Sequence, residues 1–321
     1  MPRKKYLRYL VNCISTVLLW TLNAEAISAE FIVKRSISIN KAWENYTITI
    51  RGEIVPSDIV RLKSSLNSVE LGLSDSAYTI ESTIIHLDSP GGDAEAAMQM
   101  GGLIRRLNLK TNVTRSCASS CVFLLAAGVE RGSITELNKE IFGIRPRIGI
   151  HRPHLYMARG SESQENLRER MRSIKTNMEQ YLDNMGISSQ LIEMIFSLPP
   201  ETIRWLEEDE ARLLGILGTD SAWDEYKTAQ EAASVGLSSS DYRSKSMEAI
   251  EYCKRKHDVL WASVLCRKAY IRGMTEEAVD ANTKAFHNFI IHEAARGRVI
   301  KMQSNEMKNC GRIFSAGGRS C

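Results

Sequence analysis

From about residue 47 the pattern of apolar and polar positions alternates short strands with amphipathic helices. Residues 47–54 (TITIRGEI) carry the two-residue period of a strand. Pro56-Ser57-Asp58 offers a helix start, and Ile59, Leu62, Leu66 and Val69 follow at helical spacing. Residues 83–87 predict a second strand, whose weak alternation suits a parallel sheet covered on both faces. Residues 94–107 form the next helix, with Ala97, Met100, Ile104 and Leu107 on one face. A short strand at 111–114, an apolar helix at 120–127 closed by Gly128 and a strand at 147–151 complete the alternation.

Strands alternating with helices predict an α/β domain built on parallel strands. Residues 27–45 read as an irregular lead-in. Residues 162–185 form a charged amphipathic helix, and 188–216 hold one or two more, broken at Pro199-Pro200. Beyond 241 the pattern is helical only, at 246–257, 260–271 and 275–295. The stretch 234–240 (SVGLSSS) reads as a linker. The expected organisation is a leader over 1–26, an α/β domain over 27–235 and a small all-α region over 241–321.

Composition changes this picture at both ends. Arg3, Lys4, Lys5 and Arg8 precede an apolar run from Val11 to Leu22, and Ala24-Glu25-Ala26 follows. That is the pattern of a cleaved secretory signal, with an uncleaved N-terminal anchor as the alternative. The expected location is therefore periplasmic or secreted. Without the leader, 38 Lys/Arg stand against 37 Asp/Glu, which gives no support for nucleic-acid binding. Residues 241–321 hold 15 basic against 9 acidic side chains, so this tail is a candidate contact for a membrane surface or a protein. Six cysteines remain after the leader, in three local pairs: Cys117 with Cys121, Cys253 with Cys266, and Cys310 with Cys321. An even count in an exported chain suggests disulfides. The first pair is read equally well as a bond or as two small buried thiols.

The chemistry concentrates between residues 85 and 154. Ser89-Pro90-Gly91-Gly92 ends one strand and opens a helix. Its glycines would turn backbone N–H groups toward an oxyanion, or simply make a tight turn. Ser119 stands before the 120–127 helix, as a helix cap or as a nucleophile, and the Ser120 amide follows it. His151, in IGIHRPH, is a structural histidine or a general base. His154 competes with it, and His86 lies inside a strand.

Taken together, SPGG at 89–92, CASSCVFLLAAG at 117–128, IHRP at 150–153 and ITIRGEIVPSDIVRLKSSL at 48–66 resemble the proteolytic subunit of Clp protease, and more closely its exported ClpP-like relatives. The resemblance covers roughly residues 45–218. It implies a ClpP/crotonase-like spiral of ββα units, with Ser119 as nucleophile, His151 as base, and Gly91, Gly92 and the Ser120 amide as the oxyanion hole. It further implies a serine peptidase acting on a peptide or protein substrate without metal or cofactor, and self-association into a homo-oligomer.

The chain departs from that family in an added segment around 137–145, and in having no Asp where the family's third triad member falls; Glu201 and Asp209 are the nearest carboxylates. An exported chain also has no ATP supply for an unfoldase partner. The alternative is an inactive scaffold or binding protein on the same fold. A crotonase-type thioester enzyme, a Ser–Lys peptidase using Lys175, and a zinc site from Cys117, Cys121 and His151 or His154 are weaker readings.

Overall fold

The computed structural model describes residues 28–37, 44–73, 82–133, 145–153, 163–199, 201–256 and 260–275, with a few single positions up to 284. The expected leader, most of the added 137–145 segment, His154, Pro200 and the Cys310–Cys321 pair lie outside the described residues.

The fold is α/β, with a mixed sheet of eight strands. The strands are β1 (Glu30–Ile37), β2 (Glu44–Arg51), β3 (Ile84–Ser89), β4 (Lys110–Ala118), β5 (Glu130–Ser133), β6 (Arg147–Ile150), β7 (Arg204–Leu206) and β8 (Gly218–Thr219). Their central path is β1-β2-β3-β4-β5-β8. The expected parallel pairing holds for β2 with β3, β3 with β4, and β4 with β5 and β6. The outer pairs β1/β2, β5/β8 and β6/β7 are antiparallel.

Two expectations about the sheet are corrected. The lead-in at 27–45 is not irregular: Glu30–Ile37 is a full edge strand on β2. Nor is the sheet packed equally on both faces. In β3, Ile85, Leu87 and Ser89 are buried while the alternate residues are only half-buried. One face therefore carries the packed core and the other is partly open.

β4 forks, and the fork places the site. Its first half pairs with β5 (Thr111 with Arg131), and its second half turns to β6 (Cys117 with Ile148). The register between β3 and β4 also jumps, so that Ser89 lies beside Cys117. The end of β3 and the end of β4 are thereby brought together.

The helices are α1 (Asp58–Leu73), α2 (Ala94–Arg106), α3 (Cys121–Ala127), α4 (Gln164–Asn184), α5 (Gln190–Ser197), α6 (Glu208–Leu213), α7 (Ser221–Ser234), α8 (Ser239–Lys256) and α9 (Leu260–Ile271). All seven residues of α3 (CVFLLAA) are buried. A seven-residue helix is too short to be stable alone, so α3 exists because burial holds it, each Leu contributing about 2 kcal/mol. Tyr181 of α4 reaches over it: its hydroxyl donates to the Phe123 carbonyl (2.8 Å) and its ring meets Phe123 edge-on. A Cβ on Gly101 of α2 would sit 1.8 Å from the Tyr181 oxygen, so α2 comes close only because that position is glycine. Arg131 is buried behind α3 and donates to the Ala126 and Met185 carbonyls. Burial, then repulsion from Arg105, pull its guanidinium down to about 10 against the opposing pull of Asp220.

The stretch expected as a linker is a tight turn. The Leu237 N–H donates to the Ala232 carbonyl, Gly236 takes φ +71°, and α8 begins at Ser239. Arg243 of α8 pairs with Asp224 and Glu225 of α7. Part of the basic tail's charge is thus neutralised within the chain. The Cys253–Cys266 disulfide joins α8 to α9. Among the described residues no helix is long and apolar enough to cross a membrane.

Candidate functional site

Four segments meet at the site: the residues after β2, the Gly91-Gly92 turn after β3, the Ser119-Ser120 turn between β4 and α3, and His151 after β6. The turn after β3 is laced to the segment after β2. Ile54 N–H donates to the Gly91 carbonyl, and Asp93 N–H donates to the Ile54 carbonyl, both at 2.8 Å. Asp93 then caps α2, its Oδ1 accepting from Ala96 N–H at 2.7 Å.

Both glycines are required by what surrounds them. Gly91 has φ +100°, and a Cβ there would lie 2.5 Å from the Ser119 Cβ. Gly92 has φ +142°, and a Cβ there would lie 2.2 Å from the Ile54 carbonyl oxygen. The turn is therefore shaped to let Ser119 approach the backbone.

Ser119 itself has φ +57°, a left-handed conformation uncommon for a residue with a β-carbon. It is held there from both sides. Its N–H donates to the Gly149 carbonyl of β6 (2.9 Å), and its own carbonyl accepts from Val122 N–H of α3 (3.1 Å). A strand-to-helix turn with a positive-φ serine at its apex presents the hydroxyl away from the sheet, the geometry that exposed nucleophiles need. Ser119 is half-buried and Ser120 is buried, so the first of the two serines has the accessible hydroxyl.

The donors around Ser119 divide unequally. The Gly91 N–H donates to Ser89 Oγ (3.1 Å), which in turn donates to the Gly52 carbonyl (2.6 Å). Gly91 therefore contributes room rather than a free donor. The N–H groups of Gly92 and Ser120 have no hydrogen-bond partner among the described residues. Ser120 Oγ, buried at the start of α3, likewise has none. The role of Ser89 was missed by the sequence reading. A serine two residues before the N–H it accepts is the available signal for such a turn.

His151 is half-buried, and its Nδ1 lies 2.7 Å from the Arg152 carbonyl oxygen. A carbonyl only accepts, so this contact places a ring proton on Nδ1. A backbone carbonyl thus occupies the position next to Nδ1 that a carboxylate fills in a Ser–His–Asp arrangement.

Gly92, Ser119, Ser120 and His151 line one open cleft of about 1480 Å³ between α2, α4 and the strand ends. Met98, Phe123, Ile174 and Ile195 give it apolar walls. Of the two carboxylates nearest the expected acid, Glu201 lines the cleft, whereas Asp209 lies in the first turn of α6 away from it. Lys175 pairs with Glu193 (3.2 Å) and Glu179 (3.4 Å) and does not line the cleft, so nothing favours a Ser–Lys pair. Cys117 and Cys121 are bonded to each other, which removes them as thiolate ligands for zinc. His86 sits in β3, and burial, with Lys34 nearby, lowers its pKa.

No protein-family model and no curated protein matches this chain.

Proposed function

We propose that the chain is an exported serine peptidase of ClpP-like type, with its spiral ββα core followed by a helical tail, and that it acts on peptide or protein substrates as a homo-oligomer. The observation that carries this reading is the shared cleft. A left-handed serine at a strand-to-helix turn lines the same cleft as Gly92 and Ser120, whose N–H groups have no partner among the described residues, and as His151, whose Nδ1 is engaged by a backbone carbonyl.

Ser119 Oγ would attack the substrate carbonyl carbon while His151 Nε2 takes its proton. The developing oxyanion would be held by the N–H groups of Gly92 and Ser120. Collapse breaks the C–N bond, and His151 returns the proton to the leaving amine. Water, deprotonated by the same Nε2, then attacks the acyl ester and releases the acid and Ser119. Each oxyanion donor contributes roughly 10²–10³ in rate in sites of this kind. The Arg152 carbonyl fixes the His151 tautomer but brings no negative charge, so turnover below that of carboxylate-backed triads is expected. That same feature favours a second reading, a groove on this fold that binds peptides without cutting them.

The test is a fluorophosphonate probe on the folded, oxidised protein, with the adduct mapped by mass spectrometry. Labelling at Ser119 that disappears in Ser119→Ala and falls at least tenfold in His151→Ala supports a hydrolase. A folded protein that takes no label supports the binding reading.

A further inference from the structure

We infer that the Cys117–Cys121 disulfide is a positioning element for Ser119, so that reactivity at this site depends on the bond being formed. The inference rests on the reading of Ser119 as nucleophile.

The bond closes the ring Cys117-Ala118-Ser119-Ser120-Cys121, and that ring holds the site's hydroxyl and the Ser120 N–H, one of two at the site without a partner among the described residues. Cys117 belongs to the last turn of pairing in β4, opposite Ile148, and Cys121 is the first residue of α3. Their Cα atoms are 5.2 Å apart, and both side chains are fully buried in the main core. The crosslink therefore ties the end of the strand to the start of the helix across the reactive turn.

The side-chain cap that ordinarily fixes such a junction is missing. Ser120, at the N-cap of α3, makes no side-chain cap hydrogen bond, and its Oγ is buried without a partner among the described residues. A helix start is ordinarily set by such a cap. Here the covalent bond takes that part. Ser119 must hold φ +57°, which a residue with a β-carbon leaves when its neighbours permit. The Gly149 carbonyl and the Gly91 backbone restrain it from outside the ring, and the disulfide restrains it from within. If the bond opens, the Ser120 N–H and the Ser119 Oγ lose their shared fixed frame while the cleft walls stay in place. Transition-state contacts then suffer more than ground-state binding.

Reduction is a two-electron step. A dithiol donates two electrons and two protons, the S–S bond becomes two thiols, and the dithiol becomes its own cyclic disulfide. Reoxidation by a disulfide-bearing exchange partner reverses it.

The experiment measures the rate of fluorophosphonate attachment at Ser119 against probe concentration, separating the maximal rate from the half-saturating concentration. The proteins are wild type, Cys117→Ala/Cys121→Ala, and Cys253→Ala/Cys266→Ala as the control lacking the other bond. The first double variant is expected to lose about tenfold or more in maximal rate with half-saturation within about twofold of wild type. The control keeps both. Should the first double variant fail to fold by circular dichroism, the control protein is treated with dithiothreitol instead, with thiols counted by mass spectrometry, and its rate is expected to fall on reduction and return on reoxidation. An unchanged maximal rate in a folded protein lacking the bond overturns the inference and leaves the hydrolase reading standing. A wild type that takes no label overturns both.

Discussion

The two disulfides sit in opposite surroundings, and the contrast separates what a crosslink does from where it lies. Cys117–Cys121 spans 4 residues inside the main core, with Cys117 paired to Ile148 in the sheet. Cys253–Cys266 spans 13 residues and, among the described side chains, anchors a cluster of the two cysteines and Ala269 with Tyr252 packed on it. Loop-closure entropy assigns the two bonds about 2 and about 3 kcal/mol, nearly the same. The difference therefore lies in the neighbours. Among the described side chains of the α8–α9 hairpin, Ala249 and Ile271 are the other buried apolar residues. The β4–α3 junction has ample burial for stability, and its bond is left to govern the geometry of one turn.

The sharpest break of this comparison is on the core side. Gly91→Ala would place a methyl 2.5 Å from the Ser119 Cβ at a φ of +100°. A cost of about 3–4 kcal/mol and loss of Ser119 labelling are expected, read by thermal unfolding and by the probe. Full labelling with unchanged stability would show that the turn is softer than its close contacts imply.

Next is the tail. Cys253→Ala/Cys266→Ala is expected to cost the hairpin about 3 kcal/mol, enough to expose its amides to hydrogen exchange and its chain to protease. The main unfolding transition of the sheet region should stay in place. A fall in that main transition would mean that the hairpin supports the sheet.

The smallest effect expected is electrostatic. Asp220 caps α7, accepting from Trp223 N–H (3.0 Å), and pairs with Arg105 (2.5 Å). Burial works to raise its carboxyl, but the Trp223 N–H and the Arg105 and Arg131 guanidiniums outweigh it, and the net value is lowered. A carboxyl lowered in the folded state adds stability that is complete above its unfolded value, near 4, and is lost as pH falls through the folded value. Asp220→Asn should therefore reduce stability at neutral pH by about 1–2 kcal/mol and flatten its decline in acid, measured by unfolding between about pH 6 and 2. Parallel acid limbs in the two proteins would contradict this assignment.

Much of this site was legible in the sequence because its parts are local. SPGG, the serine before an apolar run and the histidine after a strand each signal their own turn. What escaped the reading depends on partners far along the chain. Glu30–Ile37 shows a strand only by pairing with β2, since its residues are largely exposed and follow no clean alternation. β5, β7 and β8 have four residues or fewer, too short to show a period. The β4 fork, which sets Ser119 beside Gly149, leaves no trace in residue type. The engagement of Gly91 N–H by Ser89, and of His151 Nδ1 by a backbone carbonyl, follow from backbone paths that no pattern of side chains encodes.

In the proposed mechanism Ser119 faces an oxyanion hole made by the Gly92 and Ser120 amides. Its most direct test is the crystal structure of the protein after reaction with a fluorophosphonate. The phosphonyl group should be bonded to Ser119 Oγ, with its oxygen about 2.7–3.1 Å from both amide nitrogens. A phosphonyl oxygen turned to solvent, or an adduct formed elsewhere than Ser119, would contradict it.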